Sequence, residues 1–185
     1  MRATIVAASR PYDGGGPEKV DAMAAHFTGA PGWNGGNFYE KPNGVFEALK
    51  KFRADVLRRN GLESELLATT GGNAAVAASL LDEAATGWAC QTDANSLITL
   101  TRAGSRFDVS RQVGQIKSPL LYVLCDTDSL YPASAGPEAV AQFKALGVDV
   151  SFHEVKTKHR HRGGLVDYAK WSDVLSEFLA AHAAP

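Results

Sequence analysis

The sequence has little of several features that would indicate a specialised class of protein. It contains two cysteines, Cys90 and Cys125, in 185 residues, too few for a disulfide framework or a four-cysteine zinc site. It also lacks a net charge of either sign, because 19 Lys and Arg residues against 20 Asp and Glu residues leave −1. Nucleic-acid-binding domains normally carry a basic surface, so no nucleic acid is expected as a partner.

Long hydrophobic runs are absent as well. No uninterrupted apolar stretch in the sequence approaches the roughly 20 residues that a membrane-spanning helix requires. The apolar run at residues 3–8 is too short for the hydrophobic region of a signal peptide. We therefore expect no membrane partner and a cytoplasmic location.

What is present predicts an α/β protein about one domain in length. Residues 3–8 and 119–125 are apolar without alternation, as in parallel strands buried on both faces. Residues 148–155 alternate like a strand with one wetter face. Helices are predicted at residues 135–146 and 165–181, so strands and helices alternate as they do around a parallel sheet.

The region between the first two predicted strands differs in composition, because it is rich in glycine and polar residues. Helical spacing of apolar residues predicts helices at residues 20–27 and 44–59. Residues 66–81 are ambiguous, since residues 69–73 interrupt them with turn-forming residues. We therefore predict a core made of residues 1–11 and 116–185, with residues 12–115 inserted as a helical region.

One pair of residues has the arrangement of a catalytic acid and base. Asp128 follows the strand at residues 119–125, and His161 lies 33 residues later, after the next predicted strand. The carboxyl ends of parallel strands share one rim, where α/β proteins bind ligands. There a carboxylate can accept the imidazole Nδ1 proton, fix the tautomer and stabilise the imidazolium. The alternative is two surface turn residues, since Asp is common in turns.

The order Asp then His matches the second half of a Ser–Asp–His triad, whose serine normally lies upstream in a GxSxG turn. No serine of this sequence lies in such a motif, and Ser9 lacks the tight glycine turn. The nucleophile is therefore predicted to be absent from this chain. No residue is assigned to substrate binding.

Metal and thiol chemistry are not indicated. His153 belongs to a predicted strand, whereas His159 and His161 flank Arg160 in a loop that also carries other basic residues (Lys156, Lys158 and Arg162). The positive field of this loop disfavours a divalent cation, so no metal is expected. Cys125 ends an apolar run and is interpreted as an inert core residue.

Three segments resemble a known family. Residues 31–39, PGWNGGNFY, are similar to its PxWxGGxYY segment. Residues 93–103, DANSLITLTRA, followed by FDVS at residues 107–110, are similar to its DANSYLYLTRA and FDVS stretch. Residues 126–132, DTDSLYP, are similar to its DSDWLFP acid motif. Together they resemble the homoserine O-acetyltransferase family of the α/β-hydrolase superfamily.

The resemblance implies a partial α/β-hydrolase fold, with C-terminal parallel strands and residues 12–115 as a helical lid. It implies acyl transfer through a Ser–His–Asp triad in which Asp128 is the acid and His161 the base. The partners would be a small-molecule acyl donor, acetyl-CoA or another acyl-CoA, and an alcohol acceptor, with no bound cofactor.

Departures from the family bear on the acceptor. The family's catalytic histidine lies in a GHDAF-like sequence, but here the segment at residues 160–164 reads RHRGG. Arg162 therefore replaces an acid that pairs with the amino group of homoserine in the family. The family's substrate-holding lid Arg and Tyr fall near Leu49 or Lys50 and near Val56. An acceptor other than homoserine is expected, either a different alcohol or water, so that the protein is an O-acyltransferase or a hydrolase.

The family's chains are about twice as long, so the resemblance places the nucleophile-bearing part before Met1. We expect a truncated or split enzyme that is inactive by itself, completed by a missing N-terminal half. One alternative is a non-catalytic fold remnant or interaction module, in which the strand at residues 3–8 is a docking edge, for example in a homodimer. Another is a binding domain for a hydrophobic acyl compound, with a pocket lined by Phe38, Tyr39, Phe46, Phe52 and Trp88.

Overall fold

A computed structural model describes residues 2–12, 16–41 and 43–182. It divides the chain into a sheet unit, Met1–Tyr12 with Asp108–Pro185, and a helical unit, Asp13–Phe107. The strands and α-helices, in chain order, are β1 (Thr4–Ala7), α1 (Gly16–Thr28), α2 (Phe46–Arg59), α3 (Leu62–Thr69), α4 (Ala74–Ala89), α5 (Ala94–Gly104), β2 (Leu120–Cys125), α6 (Gly136–Ala145), β3 (Val150–Val155), α7 (Gly163–Val166) and α8 (Ser172–His182).

The sheet unit is built on three parallel strands in the order β1-β2-β3. Every residue of the central strand, β2, is buried. Its alternate side chains enter two separate cores, one containing Phe143 of α6 and the other containing Phe178 of α8. Because both faces of β2 are covered, its sequence is apolar without alternation, as predicted.

β1 differs from the prediction that both of its faces are buried. Ile5 is 40% exposed and Ala7 is also exposed, whereas Val6 packs against the core that contains Phe143. β1 pairs with β2 alone in the described sheet, and Ile5 and Ala7 belong to neither of the two hydrophobic cores that cover β2. An apolar run therefore identified the strand correctly but not its surroundings.

The C-terminal helix predicted at residues 165–181 is also wrong as a single element. The chain forms α7, a short turn of 3-10 helix at Tyr168–Lys170, and then α8. The indole nitrogen of Trp171 donates to the carbonyl oxygen of Gly164 at 2.9 Å, and the Lys170 ammonium donates to the Asp167 carboxylate at 2.8 Å. These contacts stabilise a turn where amphipathic spacing indicated a continuous helix.

The helical unit consists of α1 to α5. The prediction of a helix at residues 44–59 corresponds to α2, and the ambiguous stretch separates into α3 and α4 at its turn-forming residues. Asn73 caps α4 by accepting from the Val76 amide at 3.2 Å. The sequence analysis missed α5, although Asp93 has the character of an N-cap and accepts from the Ser96 amide at 2.7 Å.

The aromatic residues considered as a pocket lining mostly pack together in the core of this unit. One hydrophobic cluster contains or is packed by Phe38, Phe46, Phe52 and Trp88, whereas Tyr39 is 65% exposed.

Among the residues that the structure describes, no helix is long and apolar enough to cross a membrane.

Candidate active site

The loops that follow β2 and β3 are tied together at the carboxyl end of the sheet. The Asp126 amide donates to the carbonyl oxygen of Val155 at 3.1 Å. In return, the Thr157 amide donates to the Asp126 carboxylate at 2.9 Å. This exchange extends the parallel strand pairing into the loops and brings the segments that carry Asp128 and His161 side by side.

Asp128 is a buried carboxylate with defined partners. The residue is 2% exposed, and its Oδ1 accepts from the Leu130 amide two residues later at 2.8 Å. This local hydrogen bond is typical of an aspartate that organises a turn. The second carboxylate oxygen is thereby directed away from its own turn.

His161 lies in a short 3-10 helix, Arg160–Arg162, directly before α7. Its Nδ1 is 2.8 Å from Oδ2 of Asp128, and about 30% of its side chain is exposed. Because an ionised carboxylate only accepts hydrogen bonds, Nδ1 is the donor and the neutral ring carries its lone pair on Nε2. The structure thus joins the two residues that the sequence singled out, in the orientation that general-base chemistry requires.

Two threonines that the sequence analysis did not identify hold the histidine loop against the acid loop. The Thr127 hydroxyl donates to the Thr157 carbonyl oxygen at 2.8 Å and accepts from the Arg160 amide at 3.2 Å. The buried Thr157 hydroxyl accepts from the His159 amide at 3.0 Å. Thr127 lies inside the DTDSLYP segment, but nothing in the local sequence distinguishes Thr157.

An aromatic ring and a glycine complete the surroundings of His161. The Tyr131 ring lies 5.8 Å from the imidazole, centroid to centroid, with the two planes inclined at 42°. Gly163 packs against the Thr157 side chain so closely that a Cβ at this position would overlap it. The start of α7 is therefore fixed relative to the loop that precedes His161.

The remaining residues considered in the sequence lie elsewhere. His153 is in β3, and among the described residues no three His, Cys, Asp or Glu side chains are arranged to hold a metal ion. Cys125 is buried, and this burial, followed by the nearby Asp128 carboxylate, raises the pKa of its thiol. The carbonyl oxygen of Ser9 accepts from the Tyr122 hydroxyl at 2.8 Å. Within the described part of the chain, no serine is hydrogen-bonded to His161.

Sequence comparison relates this chain to curated homoserine O-acetyltransferases, whereas no family model matches it. The protein of that name from Carboxydothermus hydrogenoformans is 33% identical over 94 residues, which are 47% of this chain and 25% of the relative. The one from Methanobrevibacter ruminantium is 30% identical over 94 residues, 48% of this chain and 19% of the relative. The alignments thus span a quarter or less of these curated relatives.

Solved structures resemble nearly the whole chain. Esterase E22 superposes with a TM-score of 0.77 at 19% identity, covering 96% of this chain and 54% of that one. A homoserine O-acetyltransferase from Bacillus anthracis superposes with a TM-score of 0.76 at 15% identity, covering 99% of this chain and 54% of that one. An acetylester hydrolase from Corynebacterium glutamicum superposes with a TM-score of 0.71 at 18% identity, covering 97% of this chain and 54% of that one. This chain therefore spans little more than half the length of these structures.

The parallel sheet with its helical insertion, together with these structural neighbours, defines a partial α/β-hydrolase fold, as predicted. The sequence is similar to the homoserine O-acetyltransferases, which confirms the resemblance seen in its motifs.

Proposed function

We propose that this chain supplies the acid and the base of a Ser–His–Asp triad that transfers an acyl group to an alcohol or to water. Asp128 is the acid, His161 is the base, and the serine comes from polypeptide outside these 185 residues. The observation that carries this proposal is the 2.8 Å hydrogen bond between Nδ1 of His161 and the fully buried carboxylate of Asp128.

The proposed roles follow from the chemistry of the pair. Nε2 of His161 takes the proton of the serine hydroxyl as its oxygen attacks the acyl carbonyl carbon. The imidazolium then gives that proton to the leaving group, and an acyl-enzyme forms. Asp128 stabilises the imidazolium and holds its tautomer without becoming protonated. The second half-reaction repeats these steps, with an alcohol or water as the nucleophile.

The donor and acceptor belong to the proposal too. Names of the relatives, which include acetyltransferases and an acetylester hydrolase, favour a small acyl group carried by acetyl-CoA, another acyl-CoA or a simple ester. Arg162 follows His161 where the family has an acid, which favours an acceptor other than homoserine.

The proposal extends to the helical region and to the location of the protein. Residues 12–115 would serve as the lid over the active site. Both cysteines are free, as is usual for proteins of the cytoplasm.

The hydrogen bond is tested on the chain itself by heteronuclear NMR of labelled imidazoles. His161 should be the Nδ1-protonated tautomer at neutral pH, and Asp128→Asn should change this tautomer because an amide can donate to Nδ1. Asp126→Asn is the matched control, since Asp126 accepts from the Thr157 backbone. An unchanged His161 tautomer in Asp128→Asn would contradict the proposed pairing.

The catalytic role is tested in the polypeptide or complex that carries the serine, identified from its intact mass in the cells that make it. There His161→Ala should lower kcat on the order of a million-fold, and Asp128→Asn roughly ten-thousand-fold. His159→Ala is the control and should leave kcat unchanged, because the hydrogen bonds described for the Asp128 carboxylate come from Leu130 and His161 and not from His159. Stoichiometric labelling of the isolated 185-residue chain by a fluorophosphonate would refute the assignment of the serine to another segment.

A second candidate function is a non-catalytic interaction module. The observation that favours it is the exposed apolar edge strand β1, since sheet edges readily pair with another chain. A native protein of 19.6 kDa that co-purifies with no serine-bearing chain and shows no turnover would favour this candidate.

A further inference from the structure

A small cavity lies at the carboxyl ends of β1 and β2, entirely within the sheet unit. Its volume is about 100 Å³, well below the roughly 300 Å³ at which sites for drug-sized ligands begin. The apolar part of the lining includes Tyr122, Leu124, Ala139 and Phe143. A cavity of this size and lining suits a fragment of a few carbon atoms.

Among the described residues that line this cavity, Arg10 is the one that carries a positive charge. Its guanidinium carbon lies 5.1 Å from the centre of the Tyr12 ring and 5.6 Å from that of Tyr131. The two rings favour a positive charge at this point. Arg10 is thus held at the cavity by aromatic contacts.

One buried donor of Arg10 has no partner among the described residues. Its Nε is buried and has no hydrogen-bond partner among the described residues. No described carboxylate forms an ion pair with it. A buried charged donor of this kind is strongly stabilised by an anionic acceptor.

We propose that this cavity binds the carboxylate of a short-chain acid. Nε and a terminal nitrogen of Arg10 form the two-pronged donor that matches a carboxylate, and the alkyl chain packs on Tyr122, Leu124 and Phe143. Inorganic phosphate is also an anion but offers no hydrocarbon for the apolar lining. Glu138 also lines the cavity, where its negative charge opposes a bound anion and limits the affinity.

The position of the cavity connects it to the candidate active site. Tyr131 contacts Arg10 with its ring and also lies 5.8 Å from the His161 ring. The bound acid would therefore be one aromatic side chain away from the imidazole. The inference that the bound acid is part of an acyl donor or acceptor rests on the proposed function. The inference that the cavity binds a carboxylate does not.

The test is a titration of the purified chain with butyrate at constant ionic strength, followed by NMR of the arginine Nε–H groups and by calorimetry. Butyrate should give a saturable shift of the Arg10 resonance. Butan-1-ol, its neutral counterpart, should leave this resonance unshifted, and phosphate should bind more weakly. Equal binding of butyrate and butan-1-ol would overturn the anion site, and equal binding of phosphate would overturn its selectivity for a carboxylic acid.

Variants identify the residue responsible. Arg10→Gln should weaken butyrate binding by about tenfold or more, and Arg10→Lys should weaken it less, because the charge remains while the fork is lost. Glu138→Gln should tighten binding. Arg111→Gln, an exposed arginine outside the cavity, is the control and should bind as the parent does. Unchanged affinity in a folded Arg10→Gln or Arg10→Lys variant would overturn the proposal.

The binding readout is independent of catalysis. His161→Ala should keep the butyrate affinity within about twofold, because the imidazole does not line the cavity. A His161→Ala variant that loses turnover but still binds butyrate therefore separates the two proposals. A chain that fails to bind butyrate while His161 keeps its Nδ1-protonated tautomer would refute the carboxylate site alone.

Discussion

Asp128 shows how a single residue depends on its contacts. Its side chain is completely buried, and its two oxygens are held by the Leu130 amide and by Nδ1 of His161. A buried carboxylate without such donors costs several kcal/mol, so the imidazole also supports the fold of the acid loop. The sequence pointed to both residues because an acid and a histidine follow successive strands. It could not establish their contact, which depends on the pairing of β2 with β3.

The two cysteines should react very differently with a thiol reagent. Cys90 is exposed, whereas Cys125 is buried and the pKa of its thiol is raised by that burial and by the Asp128 carboxylate. Because the thiolate is the reactive form, Cys125 should resist modification at neutral pH and react only at higher pH or after unfolding. Thiol titration should therefore count one cysteine in the native protein and two in denaturant. Cys90→Ser is the control, and rapid reaction in that variant would contradict the burial of Cys125.

At the scale of elements, the two glycines that begin α7 have different surroundings. A Cβ on Gly163 would overlap the Thr157 side chain, whereas a Cβ on Gly164 would meet no atom within 4 Å. The sequence pattern gives both the same helix-weakening character. Only the packing of α7 against the loop after β3 separates them.

We expect Gly163→Ala to lower the free energy of unfolding by about 1–3 kcal/mol, as overpacking does. It should also broaden or shift the His161 resonance, because Thr157 must move and its hydroxyl holds the His159 amide. Gly164→Ala is the matched control and should be neutral or stabilising by up to about 1 kcal/mol, since alanine favours a helix. Denaturant unfolding measures both, and equal stabilities of the two variants would contradict the described contact.

α5 illustrates why some elements escape prediction. The buried residues of α5 are Ala94 and Ile98, which belong to the core of the helical unit. Two buried positions are too few for the spacing of apolar residues to indicate a helix clearly. Its N-cap is clear once the contacts are known, because Asp93 accepts from the Ser96 amide and from the Tyr39 hydroxyl. Although partial burial raises the pKa of Asp93, these hydrogen bonds lower it below its ordinary value overall. The capping contribution is therefore present at neutral pH and is lost in acid, as the pH falls through that lowered pKa.

At the scale of the whole molecule, the edge strand β1 leaves one side of the described sheet open to pairing with other chains. Ile5 is 40% exposed, and the exposed strand carries no charged residue between Thr4 and Ala7. Native sheets usually protect such edges with charges, bulges or cover. The surface around β1 should therefore govern how this chain associates with itself or with others.

We expect the chain to self-associate with rising concentration, and Ile5→Lys to weaken this association by about tenfold through charge repulsion at the edge. Leu100→Lys changes another exposed apolar side chain, 67% exposed on α5, and should leave the association unchanged. Sedimentation velocity over a range of micromolar concentrations measures both. A parent chain that remains monomeric throughout would contradict the role of β1 as an open edge.

The sequence by itself determined the elements whose signal is local. β2 is identified by an apolar run that both faces bury, and Asp128 and His161 are identified by their chemistry and by the strands they follow. Only the tertiary structure decided the surroundings of other residues: the exposure of Ile5 and Ala7 in β1, the turn at Asp167 and the place of Arg10 beside Tyr131. The exposure of β1 depends on strand order, and the place of Arg10 depends on a contact between residues more than a hundred positions apart. The turn at Asp167 rests on contacts within the turn, such as that of Trp171 with Gly164, which amphipathic spacing does not encode.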